Sequence, residues 1–407
     1  MIAPQPFLKG AIAPLSLITP KPHMTKPQQT YLDTRPIPPN QLTSSADLRF
    51  TLTDTLKTLL QQTNHTLIAL PKPTSNPQTF LNTLKTHPKI YQASMLRQFA
   101  ADLPPDIEQT ALKDEPKDWF IKTADFGDDY DRVLQHRDGE FTQLLEDITR
   151  YHEIFQQGYD KIILILPTTY TGYDILLTAA MQCLGYTKEQ FQFIIVQPIK
   201  LYAFHKPTQQ LHPIPDIAPA ELLKAVSMDA LRWYSLRVPL TEVAPINIST
   251  AGKPIPQDSL YRVRSAYLRC CTLLQQAQEQ GIIQLETNGG SGEICPTEIA
   301  AKLMSLADYV WESPDAAILA NLLQAVPKIL EQSATEIAPH LVCRHLEAIS
   351  ETCLPWLDSL SLNPQNCALL LAAKQTIFEL LENVLAIALP ESTFPDPNLR
   401  FVKFSED

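Results

Sequence analysis

Glycine is scarce in this chain, with 11 residues in 407 against 35 prolines. A loop that wraps phosphate with its backbone needs glycine, because only glycine takes left-handed backbone angles freely. Such loops are therefore not expected. The seven cysteines, Cys183, Cys270, Cys271, Cys295, Cys343, Cys353 and Cys367, never form a Cys-x-x-Cys pair. That argues against both a zinc site and a disulfide framework, and it fits a reducing cytoplasm. The start, Met1-Ile2-Ala3-Pro4-Gln5-Pro6, lacks the basic and apolar regions of a signal peptide, and no apolar run reaches the length of a membrane span. The formal charge of −11 gives no global attraction for nucleic acid. Any such binding has to use a local basic patch. No metal, cofactor, membrane or DNA partner is expected.

What is present changes character along the chain. Residues 1–45 are rich in Pro, Thr and Gln, carry Lys9, Lys21, Lys26 and Arg35, and read as an extended tail. Residues 46–62 place Leu48, Leu52, Leu56 and Leu59 at helical spacing. Thr66-Leu67-Ile68-Ala69-Leu70 reads as a buried strand, and a helix is expected from Pro77. From Trp119 onward the pattern sharpens. Residues 120–123 and 132–135 are strand-like around a turn at Asp125-Phe126-Gly127-Asp128-Asp129, and residues 141–157 are helical. Lys161-Ile162-Ile163-Leu164-Ile165-Leu166 is a continuous apolar strand of the kind buried on both faces of a parallel sheet. A helix over 172–184 and a strand over 191–196 follow. Strands alternating with helices predict a doubly wound parallel sheet, with ligands at the carboxyl ends of its strands.

Beyond this point almost everything is helical. Asp229-Ala230-Leu231-Arg232 reads as a helix start with Asp229 as its N-cap. Helices are expected over 260–280, 296–311, 315–338, 339–357 and 364–389, several opening at Pro or Asp. From Ser291 to the end, acids outnumber bases by more than two to one. The basic residues that could meet phosphate are Arg232, Arg237, Lys253, Arg262, Arg264 and Arg269. An ordinary salt-bridged helix face explains the same group. Trp233, Tyr234 and Tyr267 suit either base stacking or a helix core.

Several pieces then line up. They are Phe126-Gly127-Asp128-Asp129-Tyr130-Asp131-Arg132-Val133-Leu134, Arg137-Asp138-Gly139, Asp147-Ile148, Tyr151-His152, Gly158-Tyr159-Asp160-Lys161, Gly172-Tyr173, Leu184-Gly185-Tyr186 and Val196-Gln197, followed by Asp229-Ala230-Leu231-Arg232. In order and spacing, over residues 119–390, they resemble class I arginyl-tRNA synthetases. The resemblance covers the second half of the catalytic domain and the helical anticodon-binding domain named for its Asp-Ala-Leu-Arg signature. It implies a Rossmann-like α/β domain at 46–225, a helical bundle at 226–395 and a short tail at 396–407.

The resemblance also defines what is missing. The family places His-x-Gly-His and Lys-Met-Ser-Lys charges on the phosphates as pyrophosphate leaves. Losing one such donor costs about 2.7–4 kcal/mol of barrier. None of the nine histidines here shows the first spacing, and no lysine lies between Lys206 and Lys224, where the second is expected. The segment before the match is short for an N-terminal domain plus a first catalytic half. Of the Tyr-x-x-x-Asp arginine-recognition pair, Asp147 survives and Gln143 stands in place of the tyrosine. Tyr170 and Thr171 replace paired histidines before Gly172 in the nucleotide cleft. The expectation is a truncated, non-catalytic relative with no catalytic residues, binding tRNA as an adaptor or chaperone in the cytoplasm. Two alternatives stay open: a scaffold that meets a protein through the acidic bundle or the Pro-rich tail, and a residual arginine–tRNA ligase activity.

Overall fold

A computed structural model describes residues 28–34, 49, 65–67, 76–94, 117–205, 208, 210–215, 217–283, 311 and 313–390. These fall into two compact units. One holds the described residues of 25–42 and 64–198, and the other holds Arg49 and the described residues from 199 onward. The division therefore falls at Pro198/Ile199, ahead of the boundary at 225/226 drawn from sequence. The helices expected over 46–62 and 296–311 lie outside the described residues, apart from Arg49 and Trp311.

The first unit is built on a four-stranded parallel sheet of β1 (Gln28–Thr34), β2 (His65–Leu67), β6 (Lys161–Pro167) and β7 (Phe191–Val196). The spatial order is β2-β1-β6-β7. Strand β6 is central because Ile162 to Leu166 present apolar side chains to both faces, and all five are essentially inaccessible. Strand β1 corrects the expected tail. Residues 28–34 pair in parallel with β6 from Thr30↔Lys161 to Thr34↔Ile165, and Thr30, Tyr31 and Asp33 are buried. The tail composition masked this strand, which fits in the proline-free stretch between Pro27 and Pro36. A second, antiparallel sheet joins β3 (Ile90–Ala93), β4 (Asp118–Ile121) and β5 (Arg132–Gln135) in that order.

Among the described residues, three α-helices belong to this unit. Helix α1 (Pro77–Leu84) starts where Asn76 accepts from the Gln78 amide and Pro77 supplies a preset φ. Helix α2 (Gln143–Gln156) is capped by Thr142, and α3 (Tyr173–Cys183) begins after Gly172. Gly172 sits at φ +85°, a left-handed value that side chains rarely adopt.

The second unit opens with a small sheet that the sequence reading missed. Strands β8 (Ile199–His205), β9 (Gln210–Pro213) and β10 (Ala244–Asn247) lie in the order β10-β8-β9. Two short helices, α4 (Pro219–Ala225) and α5 (Met228–Leu236), fall between β9 and β10. The N-cap of α5 is Ser227, which accepts from the Ala230 amide 3.3 Å away. Asp229 is not the cap. It stands in the first turn, where its charge favours the helix dipole and its carboxyl meets Arg264 at 2.6 Å.

Among the described residues, four α-helices follow: α6 (Ser259–Glu279), α7 (Pro314–Glu336), α8 (His340–Asp358) and α9 (Pro364–Phe378). The last predicted helix is shorter than expected. It passes into a π-helical turn at Glu379–Val384, and Ala386 then takes φ +51°.

A buried arginine secures the carboxyl end of α5. Arg49, 1% exposed, donates to the carbonyls of Ser235, Val238, Pro239 and Glu242. These are carbonyls that a helix end and the chain after it leave without internal partners. Burial lowers the Arg49 pKa to about 10, which still leaves it charged at neutral pH. Replacing Arg49 with Met strands these carbonyls, so a loss on the order of 3 kcal/mol is expected in chemical denaturation of the full chain.

Candidate functional site

In a doubly wound sheet, ligands meet the carboxyl ends of the strands where the winding reverses. Here that point lies between β1 and β6. Asp33 stands near the end of β1, and the end of β6 runs into a 3-10 turn at Thr168–Tyr170 and then to Thr171 and Gly172. Two buried carboxyl groups mark the place.

Asp147 is the first. It lies on α2 with no exposed surface. Gln143 Nε2 donates to its Oδ1 at 3.1 Å, and the Tyr173 hydroxyl donates to its Oδ2. Gln143 and Asp147 are one turn apart on the helix, which is why the amide reaches the carboxyl. The residue that replaces the expected tyrosine therefore occupies the group it would have helped present.

Asp33 is the second. It accepts from the Tyr151 hydroxyl at 2.6 Å, with Arg150 Nη1 3.7 Å away. Asp147 and Tyr151 are again one turn apart on α2, so both carboxyl groups are served from one helical face. Sequence reasoning missed Asp33, Arg150 and Tyr173 as members of this cluster. The usable signal was Thr30-Tyr31-Leu32, a β-branched and aromatic run between Pro27 and Pro36.

The other expected cleft residues are placed differently. Tyr170 packs edge-on against Tyr173 at 5.6 Å, whereas Thr171 and Gly172 are exposed. His152 is a satisfied helix histidine, with its Nδ1 2.8 Å from the Tyr186 hydroxyl and its ring against Phe80. Burial lowers its pKa below 6.5.

In the second unit, all six candidate phosphate contacts have partners within the chain. Arg232 donates to the Ala386 carbonyl, and Arg264 to the Ala388 carbonyl and to Asp229. Three others meet acids spaced along α8: Arg237 with Glu347, Arg262 with Glu351 at 3.2 Å, and Arg269 with Asp358 at 2.7 Å. Lys253 donates to the Ser249 carbonyl. The aromatics near them also have partners within the chain. Trp233 is fully buried and donates to Ser259 Oγ at 2.9 Å, and the Tyr234 hydroxyl donates to Asp258. Tyr267 carries Lys374 over its ring at 5.9 Å.

Among the described residues no group of three or more His, Cys, Asp or Glu side chains is arranged to hold a metal ion, and no helix is long and apolar enough to cross a membrane.

Comparison with known proteins places these features. The family model for the DALR anticodon binding domain matches residues 263–390. The arginine–tRNA ligase of Synechococcus sp. (strain JA-3-3Ab) is 27% identical over 295 residues, covering 67% of this chain and 47% of that protein. The arginine–tRNA ligase of Oceanobacillus iheyensis is 33% identical over 164 residues, or 40% of this chain and 29% of that protein. The chain thus spans about half, or less, of the curated relatives it matches. A putative arginyl-tRNA synthetase from Campylobacter jejuni matches in structure with a TM-score of 0.65 at 14% identity, over 89% of this chain and 93% of that one. The Thermus thermophilus arginyl-tRNA synthetase gives 0.63 at 11% identity, over 92% and 84%. At such identities the structures share the fold: a class I synthetase-type parallel sheet followed by a helical region.

Two outcomes follow from this geometry. Tyr173→Phe leaves one Asp147 oxygen without its hydroxyl partner, so thermal denaturation should show a loss of roughly 1–3 kcal/mol. Acid should destabilise the fold through its buried histidines. Burial lowers the pKa values of His152, His340 and His345 below 6.5. The unfolded chain then takes up protons more readily than the folded one. Their contribution is whole above about pH 6.5 and is lost as pH falls toward the folded values, readable as a falling urea midpoint.

Proposed function

We propose that this arginyl-tRNA synthetase-like chain binds tRNA through its helical domain and does not activate amino acid, acting as an adaptor or chaperone for tRNA. The observation that carries the reading is the state of Asp147. A substrate guanidinium would pair with that carboxyl, yet Gln143 and Tyr173 already occupy its two oxygens and no surface of it is open. A ligand reaches Asp147 only if one of those side chains swings away. The absent His-x-Gly-His and Lys-Met-Ser-Lys sequences support the same conclusion, since theirs are the charges that would stabilise a departing pyrophosphate.

The match to an anticodon-binding domain supports tRNA as the partner. The internal pairing of the arginines does not prevent this, because the pairs differ in strength. Glu351 and Asp358 are 56% and 49% exposed. Such surface pairs are worth about 0–1 kcal/mol, which a phosphate contact offsets. Arg262 and Arg269 on α6 are therefore the arginines free to exchange partners. Arg232 and Arg264 hold the chain at Ala386 and Ala388, and they belong to the fold.

The test combines a gel-shift series against salt with arginine-dependent ATP–pyrophosphate exchange. Binding should strengthen as salt falls, and the Arg262→Ala/Arg269→Ala double variant should flatten the salt slope by about 2. Exchange should be absent with or without tRNA. Failure to bind tRNA at low salt defeats the reading, and so does measurable exchange. The neutralisation of so many basic residues favours one competing reading, a protein scaffold. It requires a stoichiometric protein partner recovered without RNA.

A further inference from the structure

The hairpin of β8 and β9 carries a feature that no part of the tRNA reading uses. Its register pairs Ala203 with His212 and His205 with Gln210. Side chains alternate across a strand, so His205 and His212 share one face as diagonal neighbours, and Phe204 and Leu211 share the other. The two imidazole rings lie 4.9 Å apart between centroids. Thr208, in the connection between the strands, completes the group. Its Oγ1 is 3.0 Å from His205 Nδ1 and 2.8 Å from His212 Nε2. All three residues are exposed.

We propose that His205 and His212 form a binding site for a divalent transition-metal ion of the zinc, copper or nickel class. Both imidazole nitrogens already point at one position, the Thr208 hydroxyl, from similar distances. An ion at about 2.0–2.1 Å from each nitrogen needs only small rotations of two exposed rings as it displaces or joins that hydroxyl. The hairpin backbone fixes the spacing, so little order has to be created on binding. Imidazole donors select zinc, copper and nickel over magnesium and calcium, which prefer oxygen. Two protein nitrogens leave the remaining coordination positions to the hydroxyl, water or an incoming ligand, so the site is open and exchangeable. A bound ion would also cross-link an edge strand whose four residues are all exposed.

The test uses the full chain without a polyhistidine tag. Zinc is titrated by calorimetry at about pH 7.5, where free imidazole is neutral, and copper(II) by electron paramagnetic resonance. The expected result is one saturating ion per chain at micromolar metal, with nitrogen hyperfine structure in the copper spectrum. His205→Ala and His212→Ala should each weaken binding about tenfold or more, and the pair should abolish it. Magnesium should not compete. Binding should disappear at about pH 5, because protonated imidazole cannot ligate. No saturable binding of zinc or copper at neutral pH overturns the proposal. Binding that persists in the double variant overturns it equally, since it would place the ion on other residues.

Discussion

One buried carboxyl group organises the second unit. Asp258 has no exposed surface, and its two oxygens serve three different segments. Oδ1 accepts from the Tyr261 amide at 2.6 Å and so starts α6. Oδ2 accepts from the Gly252 amide at 2.8 Å and from the Tyr234 hydroxyl at 2.9 Å. A turn, the helix α5 and the helix α6 are thereby tied to one side chain. Gly252 shows how close the assembly is. It sits at φ +72°, and a Cβ there would lie 2.8 Å from Ala230 Cβ. The signature helix is thus framed on three sides: Gly252 against Ala230, Ser259 bonded to Trp233, and Arg49 on its last carbonyls. Satisfying so buried a carboxyl matters because an unpaired one costs several kcal/mol, far more than any surface pair returns.

The charges around this frame follow from it. Arg262 and Arg269 are seven residues apart on α6, so they share a face, and Glu351 and Asp358 repeat the same interval on α8. The two helices are zipped along their outer edge by these pairs and packed inside by apolar contact, where Cys270 and Cys353 touch at 3.8 Å. A sequence shows the arginines as a basic cluster because α6 holds them close together. The acids that neutralise them lie some eighty to ninety residues later. The charge balance of such a face belongs to the tertiary structure, and no local window reveals it.

The same distinction separates what the sequence disclosed from what it concealed. Strand β6 was legible because a strand buried on both faces must be apolar throughout. Helices α2, α6, α7 and α8 were legible from their periodicity and, for α7 and α8, from an opening Asp or Pro, whereas the caps Thr142 and Asp258 emerge from the structure. Strand β1 was hidden by its proline-rich flanks, and β9 by exposure. Gln210-Leu211-His212-Pro213 has no core to face, and its proline fits only at a sheet edge. At the candidate site, Asp147 was named from its surroundings in sequence. Its capture by Tyr173 was not legible, since that contact spans 26 positions and depends on how α3 leaves β6.

That capture keeps Asp147 within the core as a bonded group. Deleting Asp147 from the interior would have required repacking α2. Surrounding it with an amide from its own helix and a hydroxyl from the next leaves the core unchanged. A fully satisfied buried group of this kind stabilises one conformation, whereas a binding group must keep part of its hydrogen-bonding capacity for a ligand. Gln143 and Tyr173 together put Asp147 in the first condition. The α/β unit therefore holds a carboxyl whose two oxygens are both bonded within the chain.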